Sequence, residues 1–150
     1  MSTESWMREL NAALTEFVAV LSSEGVALGK PDAQAISDLA VRKEGIGLEL
    51  ARLWRGLSIE LGLQDTVGLP TLRDFVTRGS VPTETFDSLE HLCLQADRQN
   101  RINGRLIEEQ ISRTQVAMNI LQQAAVNHSL YGADGRMVGM LNRNRSIDSA

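Results

Sequence analysis

The chain has 150 residues, a formal net charge of −4, one cysteine and only 4% aromatic residues. This length suffices for one domain with its own hydrophobic core. The acidic balance argues against sequence-independent nucleic-acid binding, and a single cysteine excludes a disulfide framework within the chain. Because few aromatic residues accompany many leucines and alanines, the composition favours packed helices over a β-sandwich.

The N-terminal residues do not have the pattern of a signal peptide, because no basic start precedes an apolar run. The longest apolar region, residues 12–28, carries Glu16 and Glu24. We therefore expect no membrane span in this region.

Two helices are predicted before residue 62. The first covers residues 2–28, with apolar positions that step by four and three: Trp6, Leu10, Ala13, Phe17 and Val20. Gly25 and Gly29 are predicted to close it. The second starts from a cap at Asp32 and runs to about Leu61. Lys43 falls in its apolar stripe and is interpreted as an edge residue whose amine reaches solvent.

Three glycines in the second helix have two interpretations, and the sequence does not choose between them. Gly45, Gly47 and Gly56 either weaken the helix locally or let a neighbour pack tightly against it. A short third helix of one to two turns is predicted from Pro70 through Leu72, Phe75 and Val76.

A very long fourth helix is predicted for residues 83–127, because no proline interrupts this stretch. Two apolar stripes with steps of four and three meet at Ile107, where two consecutive steps of four resemble a stutter. The first comprises Phe86, Leu89, Cys93, Ala96, Asn100, Asn103 and Ile107, and the second comprises Ile107, Ile111, Thr114, Met118, Leu121, Ala125 and His128. Cys93 is accordingly predicted to be buried and unreactive. A helix this long requires a partner along its length.

Polar residues interrupt the stripe in mid-helix. Asn100 and Asn103 are predicted to specify helix register or a contact between a turn and a helix, and not to form the client site. Asn103→Leu is then expected to hold or raise stability while the fold becomes less unique. Gly104 is predicted to allow another backbone to approach closely.

Residues 131–150 differ in character from residues 1–130, which form the predicted helical domain. They combine a net charge of +1 with apolar anchors at Tyr131, Met137, Val138, Met140 and Leu141. This pattern predicts a flexible tail that becomes ordered on a bound partner.

Signals of enzymatic chemistry are weak. His91 and His128 are 37 positions apart on one predicted helix, too far for a shared metal ion. The glycines near Lys30 lack the spacing of a phosphate loop, and Glu108-Glu109 has no histidine at the di-iron offset. We expect no enzyme activity, metal or cofactor.

Two segments carry a family resemblance. Asn100-Arg-Ile-Asn103-Gly104-Arg-Leu-Ile resembles the Asn-x-x-Asn-Gly-x-Leu-Leu signature of the FlgN family of flagellar type III export chaperones. Leu130-Tyr131-Gly132-Ala-Asp-Gly135 is similar to the Leu-Tyr-Gly-x-x-Gly segment near the C-terminus of that family. The predicted order of helices also resembles the family.

The resemblance implies a cytoplasmic, non-enzymatic chaperone. Its expected clients are the C-terminal helical segments of the hook-associated proteins FlgK and FlgL, and its expected docking partner is the export gate FlhA. The expected client-binding residues are Ile111, Met118, Leu121 and Ala125 on the long helix, together with Met137, Val138, Met140 and Leu141 in the tail. Tyr131 resembles the family tyrosine linked to gate docking, although a simple role at the helix end stays open.

The predicted fold is all-α, an antiparallel helical bundle or coiled-coil hairpin with two N-terminal helices, a short third helix, one very long helix and the tail. The alternative function is a structural coiled-coil protein that self-associates without a client, and a homodimer is left open. No nucleic acid and no direct membrane insertion are expected.

Overall fold

The computed structural model describes residues 1–30 and 32–131, and within these ranges the regular structure is entirely helical. Four helices follow in order: α1 (Thr3–Gly29), α2 (Ala33–Glu60), α3 (Leu69–Thr77) and α4 (Thr83–Tyr131). The all-α prediction, with a short third helix and a long fourth one, is confirmed. The predicted tail from Gly132 onward lies outside the described residues.

Side-chain caps start the first two helices. The Ser2 hydroxyl accepts a hydrogen bond from the Ser5 N–H over 3.2 Å, and Asp32 accepts one from the Ala35 N–H over 3.0 Å. Both contacts satisfy backbone donors of the first turn that have no partner within the helix. The cap predicted at Asp32 is therefore present. Gly25 lies within α1 and does not end it, which corrects the sequence-based expectation.

The chain divides into two compact units, Met1–Ile107 and Glu108–Ala150. The boundary coincides with the predicted stutter at Ile107. The core of the first unit joins α1, α2, α3 and the start of α4 through these buried residues: Met7, Leu10, Leu14, Val20, Ile46, Leu50, Leu53, Leu57, Val67, Leu72, Val81, Phe86 and Leu89. A smaller cluster of Val18, Leu21 and Ala96 extends the contact between α1 and α4.

The glycines of α2 have different environments. A Cβ on Gly56 would lie 2.3 Å from the Trp6 ring, so the indole packs directly on the α2 backbone. No heavy atom lies within 4 Å of the corresponding position at Gly45 or Gly47. Gly56 thus permits tight packing, whereas Gly45 and Gly47 have no packing contact to explain them.

The connection between α2 and α3 is held by one buried serine. The Ser58 hydroxyl donates to the Trp54 carbonyl over 2.7 Å and accepts the Val67 N–H over 2.7 Å. Because Ser58 and Val67 are both buried, these bonds satisfy groups that have little access to water. An ion pair between Arg73 and Glu90 links α3 to α4.

Among the described residues, α1 alone is long and apolar enough to match a membrane span by composition, with a mean hydropathy of 1.3. It packs in the protein core through nine buried residues: Met7, Leu10, Leu14, Val18, Val20, Leu21, Glu24, Ala27 and Leu28. Its apolar composition is accounted for by this packing against α2 and α4, so it does not indicate a membrane span.

Candidate functional site

A buried polar network connects α1, α2 and α4 near the end of the first unit. Asn103 is only 1% exposed, and its Nδ2 donates to the Leu21 carbonyl over 2.8 Å and to Glu24 Oε1 over 2.9 Å. Its Oδ1 accepts a hydrogen bond from Gln99 over 2.9 Å. Asn103 is thus satisfied by two groups of α1 and one group of α4, as expected for a buried amide.

Lys43 of α2 completes the network. Its Nζ lies 3.2 Å from Glu24 Oε1 and 3.2 Å from Asn100 Oδ1. Lys43 lies at the edge of the stripe as interpreted, with its side chain 29% exposed, but the sequence analysis missed that its ammonium pairs with the buried Glu24 carboxylate. A buried carboxylate is unfavourable without such partners. Lys43 compensates the charge of Glu24, and Asn103 donates a hydrogen bond to the same carboxylate.

Glu24, Gly25 and Gln99 are the residues whose part in this network the sequence analysis missed. Glu24 continues the four-and-three spacing of Leu10, Leu14 and Leu21 on the buried face of α1. The sequence signal that could have identified Glu24 is therefore a carboxylate within an apolar stripe. At Gly25, a Cβ would lie 2.9 Å from Asn103 Oδ1, so the absent side chain leaves room for the Asn103 amide.

The two asparagines of the family motif differ in environment. Asn103 is buried as predicted, whereas Asn100 is exposed and contacts only the outer edge of the network. At Gly104 no heavy atom lies within 4 Å of an added Cβ, so the close backbone approach predicted there does not occur within the described residues.

Cys93 is half-buried, so the prediction that it is buried overstated its burial. Burial, reinforced by the charge of Glu90, raises the pKa of the Cys93 thiol.

The second unit presents an exposed helical surface. Every residue from Ile111 to Asn127 is exposed, including Ile111 and Leu121 at 64% and Met118 at 47%. Ala125 is exposed on the same face as these three predicted client-binding residues. The structure thus places the helical part of the predicted site on one accessible surface.

The remaining predicted site residues have no described side chains. Leu130 and Tyr131 belong to the last turn of α4. Gly132, Gly135, Met137, Val138, Met140 and Leu141 lie outside the described residues.

The exposed surface of α4 is suited to apolar contact. No charged residue occurs among the 14 positions from Thr114 to Asn127. A helical surface without charge and with large exposed apolar side chains can bind another amphipathic helix.

Within the described residues no cluster of histidine, cysteine or acidic side chains is arranged to hold a metal ion.

These features define the class of protein. A packed helical unit that continues into an exposed, uncharged helix is typical of proteins that bind other polypeptide chains. The family model described as "FlgN protein" matches residues 2–139, and the chain belongs to this family of flagellar export chaperones. No significant match was found among curated proteins or among solved structures.

Proposed function

We propose that this chaperone is cytoplasmic and binds the C-terminal helical segments of the hook-associated proteins FlgK and FlgL. While bound, these segments cannot assemble prematurely, and the complex delivers them to the export gate FlhA. The observation that carries the proposal is the exposed surface of α4 between Ile111 and Asn127, which carries no charge from Thr114 onward. Amphipathic client helices require such a surface because they otherwise associate with each other through their apolar faces.

Charge and side-chain chemistry support this mode of binding. Ile111, Met118 and Leu121 offer apolar contact without a fixed charge that a client would have to match. The unbranched Met118 side chain adapts to irregular surfaces. Because a client must be released at the gate, a surface without charged hydrogen bonds suits moderate affinity.

Tyr131 is the proposed contact to the gate. It is the last residue of α4, within the segment that resembles the C-terminal family motif. We expect Tyr131→Ala to weaken binding to the cytoplasmic domain of FlhA while leaving client binding unchanged. A variant that loses both activities equally would instead assign Tyr131 to the client site or to the stability of the helix end.

Co-purification tests the proposal directly. The full-length chain is expressed together with the tagged C-terminal segment of FlgK or FlgL, and light scattering determines the mass of the purified complex. We expect a defined complex with at least one of the two segments. Absence of a complex with either segment, from a folded helical chaperone, would contradict the proposal.

The second candidate function is a structural coiled-coil protein that self-associates through α4. The same exposed surface favours it, since two copies of α4 bury apolar side chains against each other. It predicts stable oligomers in light scattering of the chain alone and no change on addition of a client segment.

A further inference from the structure

The exposed part of α4 carries apolar side chains over a wider arc than one neighbouring helix covers. At about 100° per residue, the apolar positions between 111 and 125 spread over about 220° of the helix circumference. A surface helix that packs on one neighbour has an apolar stripe of roughly 100°. The arc is thus about twice as wide as a single helical partner requires.

The arc contains two seams whose centres are about 130° apart around the helix axis. Seam A comprises Ile111, Met118, Leu121 and Ala125. Seam B comprises Val116, Ala117, Ile120 and Ala124. Two residues within the arc are not apolar: Thr114, and Arg113 at the N-terminal end of seam B, whose guanidinium lies 3.8 Å from the Glu109 carboxylate. The opposite side of the helix carries uncharged polar residues: Ser112, Gln115, Asn119, Gln122 and Gln123.

The two seams are equally uncovered. In seam A, Leu121 is 64% exposed, and in seam B, Ile120 is 63% exposed and Val116 54%. On the polar side, Gln115 donates a hydrogen bond to Asn119 over 3.2 Å. Because these amides pair along the helix, this side is already suited to contact with water.

The exposed apolar area favours a partner that covers both seams over one that covers seam A alone. The exposed fractions of Ile111, Met118 and Leu121 correspond to roughly 100–200 Å² of apolar side-chain surface, at about 60–120 Å² for a complete side chain. A specific interface buries about 800 Å² on each partner. A helix confined to seam A covers a small part of that area, and occupation of both seams roughly doubles the apolar contact and adds the flanking residues of the arc.

We propose that residues 111–125 of α4 bind between two amphipathic helices of one client segment, one on each seam, with the glutamine-rich side facing water. This inference rests on the proposed function, because the client is the C-terminal segment of a hook-associated protein. Since α4 offers no charge between Thr114 and Asn127, the client positions that face these residues are uncharged. A buried charge without a partner would weaken the complex.

Three consecutive exposed residues provide matched variants. Leu121→Asp places a carboxylate in seam A, Ile120→Asp places it in seam B, and Asn119→Asp places it on the polar side. The probe is a purified FlgK C-terminal segment that retains its predicted helices, titrated calorimetrically into each full-length variant. We expect Leu121→Asp and Ile120→Asp each to weaken binding by about tenfold or more, because each buries an unpaired carboxylate. Asn119→Asp should remain within about twofold of the unmodified chain, since its carboxylate stays in water.

The outcomes separate this inference from the proposed function. If the unmodified chain binds and Ile120→Asp binds equally well, seam B is not a client surface and the inference is wrong, while the proposed function stands. If Ile120→Asp dissociates a homodimer without changing client affinity, a second copy occupies seam B and the inference is again wrong. If the folded, unmodified chain does not bind the FlgK or the FlgL segment, the proposed function itself fails.

A labelling experiment measures coverage of each position without depending on affinity. Asn119→Cys, Ile120→Cys and Leu121→Cys are made separately in a Cys93→Ala background, and maleimide labelling is followed with and without saturating client segment. We expect the client to slow labelling at positions 120 and 121 but not at 119. Undiminished labelling at position 120 would overturn the two-helix arrangement.

Discussion

Asn103 of α4 donates a hydrogen bond to Glu24 of α1 over 2.9 Å, and this buried contact joins residues 79 positions apart. Lys43 of α2 contacts the same carboxylate. Three helices are thereby held in one relative register just before the unit boundary that follows Ile107. The second asparagine of the family motif acts in the packing of the helical unit, and the exposed apolar surface begins beyond it.

We expect Asn103→Leu to lower the free energy of unfolding by about 2 kcal/mol, because it removes a hydrogen bond to a buried carboxylate and one to a buried carbonyl. This reverses the sequence-based expectation that the variant holds or raises stability. Urea unfolding followed by circular dichroism measures the effect. Asn100→Ala is the control, and its exposed contact with Lys43 should contribute at most about 0.5 kcal/mol. If Asn103→Leu leaves the free energy of unfolding unchanged or raises it, the sequence-based expectation is correct and this prediction is wrong.

Two alanine substitutions in α2 should have opposite effects. Gly45→Ala should raise the free energy of unfolding by up to about 1 kcal/mol, because the new methyl group meets no neighbour and alanine favours the helix. Gly56→Ala should lower it by about 1–3 kcal/mol, because the added Cβ displaces the Trp6 ring. Thermal and urea unfolding of both variants measure the difference.

The Trp6 ring is the stated cause of the loss at Gly56, and this cause is testable separately. In a Trp6→Leu background, Gly56→Ala should become neutral or stabilising, since the smaller side chain leaves space for the methyl group. A loss that persists at full size in this background would show that another contact opposes the substitution.

Cys93 should react slowly with alkylating reagents. Because burial and the charge of Glu90 raise the pKa of its thiol, less of the reactive thiolate is present at pH 8 than for a free cysteine. The alkylation rate of the folded chain should continue to rise above pH 9, where that of the unfolded chain levels off. The raised pKa stabilises the folded state below the pKa of the unfolded thiol, and this contribution is lost as the pH rises through the folded value. Equal rates in native and urea-unfolded protein at pH 8 would contradict the prediction.

Deletion from Gly132 onward should leave the first unit, Met1–Ile107, folded, because the buried apolar residues that the structure describes precede that position. We expect the truncated chain to bind the FlgK segment more weakly than the full chain, since it lacks Met137, Val138, Met140 and Leu141. Titration calorimetry compares the two affinities, with helical content as the control for folding. Equal affinity would place the client site wholly on the helices.

The sequence by itself determined the helical class, the cap at Asp32, the short third helix and the apolar stripe of α4. Each depends on local chemistry: a capping carboxylate, a proline that starts a helix, or side chains that recur with the period of a helix. The Asn100-Asn103-Gly104 and Leu130-Tyr131-Gly132 segments also indicated the family, because they are local patterns.

Only the tertiary structure decided the role of residues whose partners are distant in sequence. Lys43 has the same spacing whether it reaches solvent or pairs with Glu24, and Gly56 resembles Gly45 until the Trp6 ring lies against it. Helical periodicity specifies which face a residue occupies but not which side chain of another helix meets it. That choice follows from how α1, α2 and α4 pack together, because packing brings Glu24, Lys43 and Asn103 within hydrogen-bonding distance.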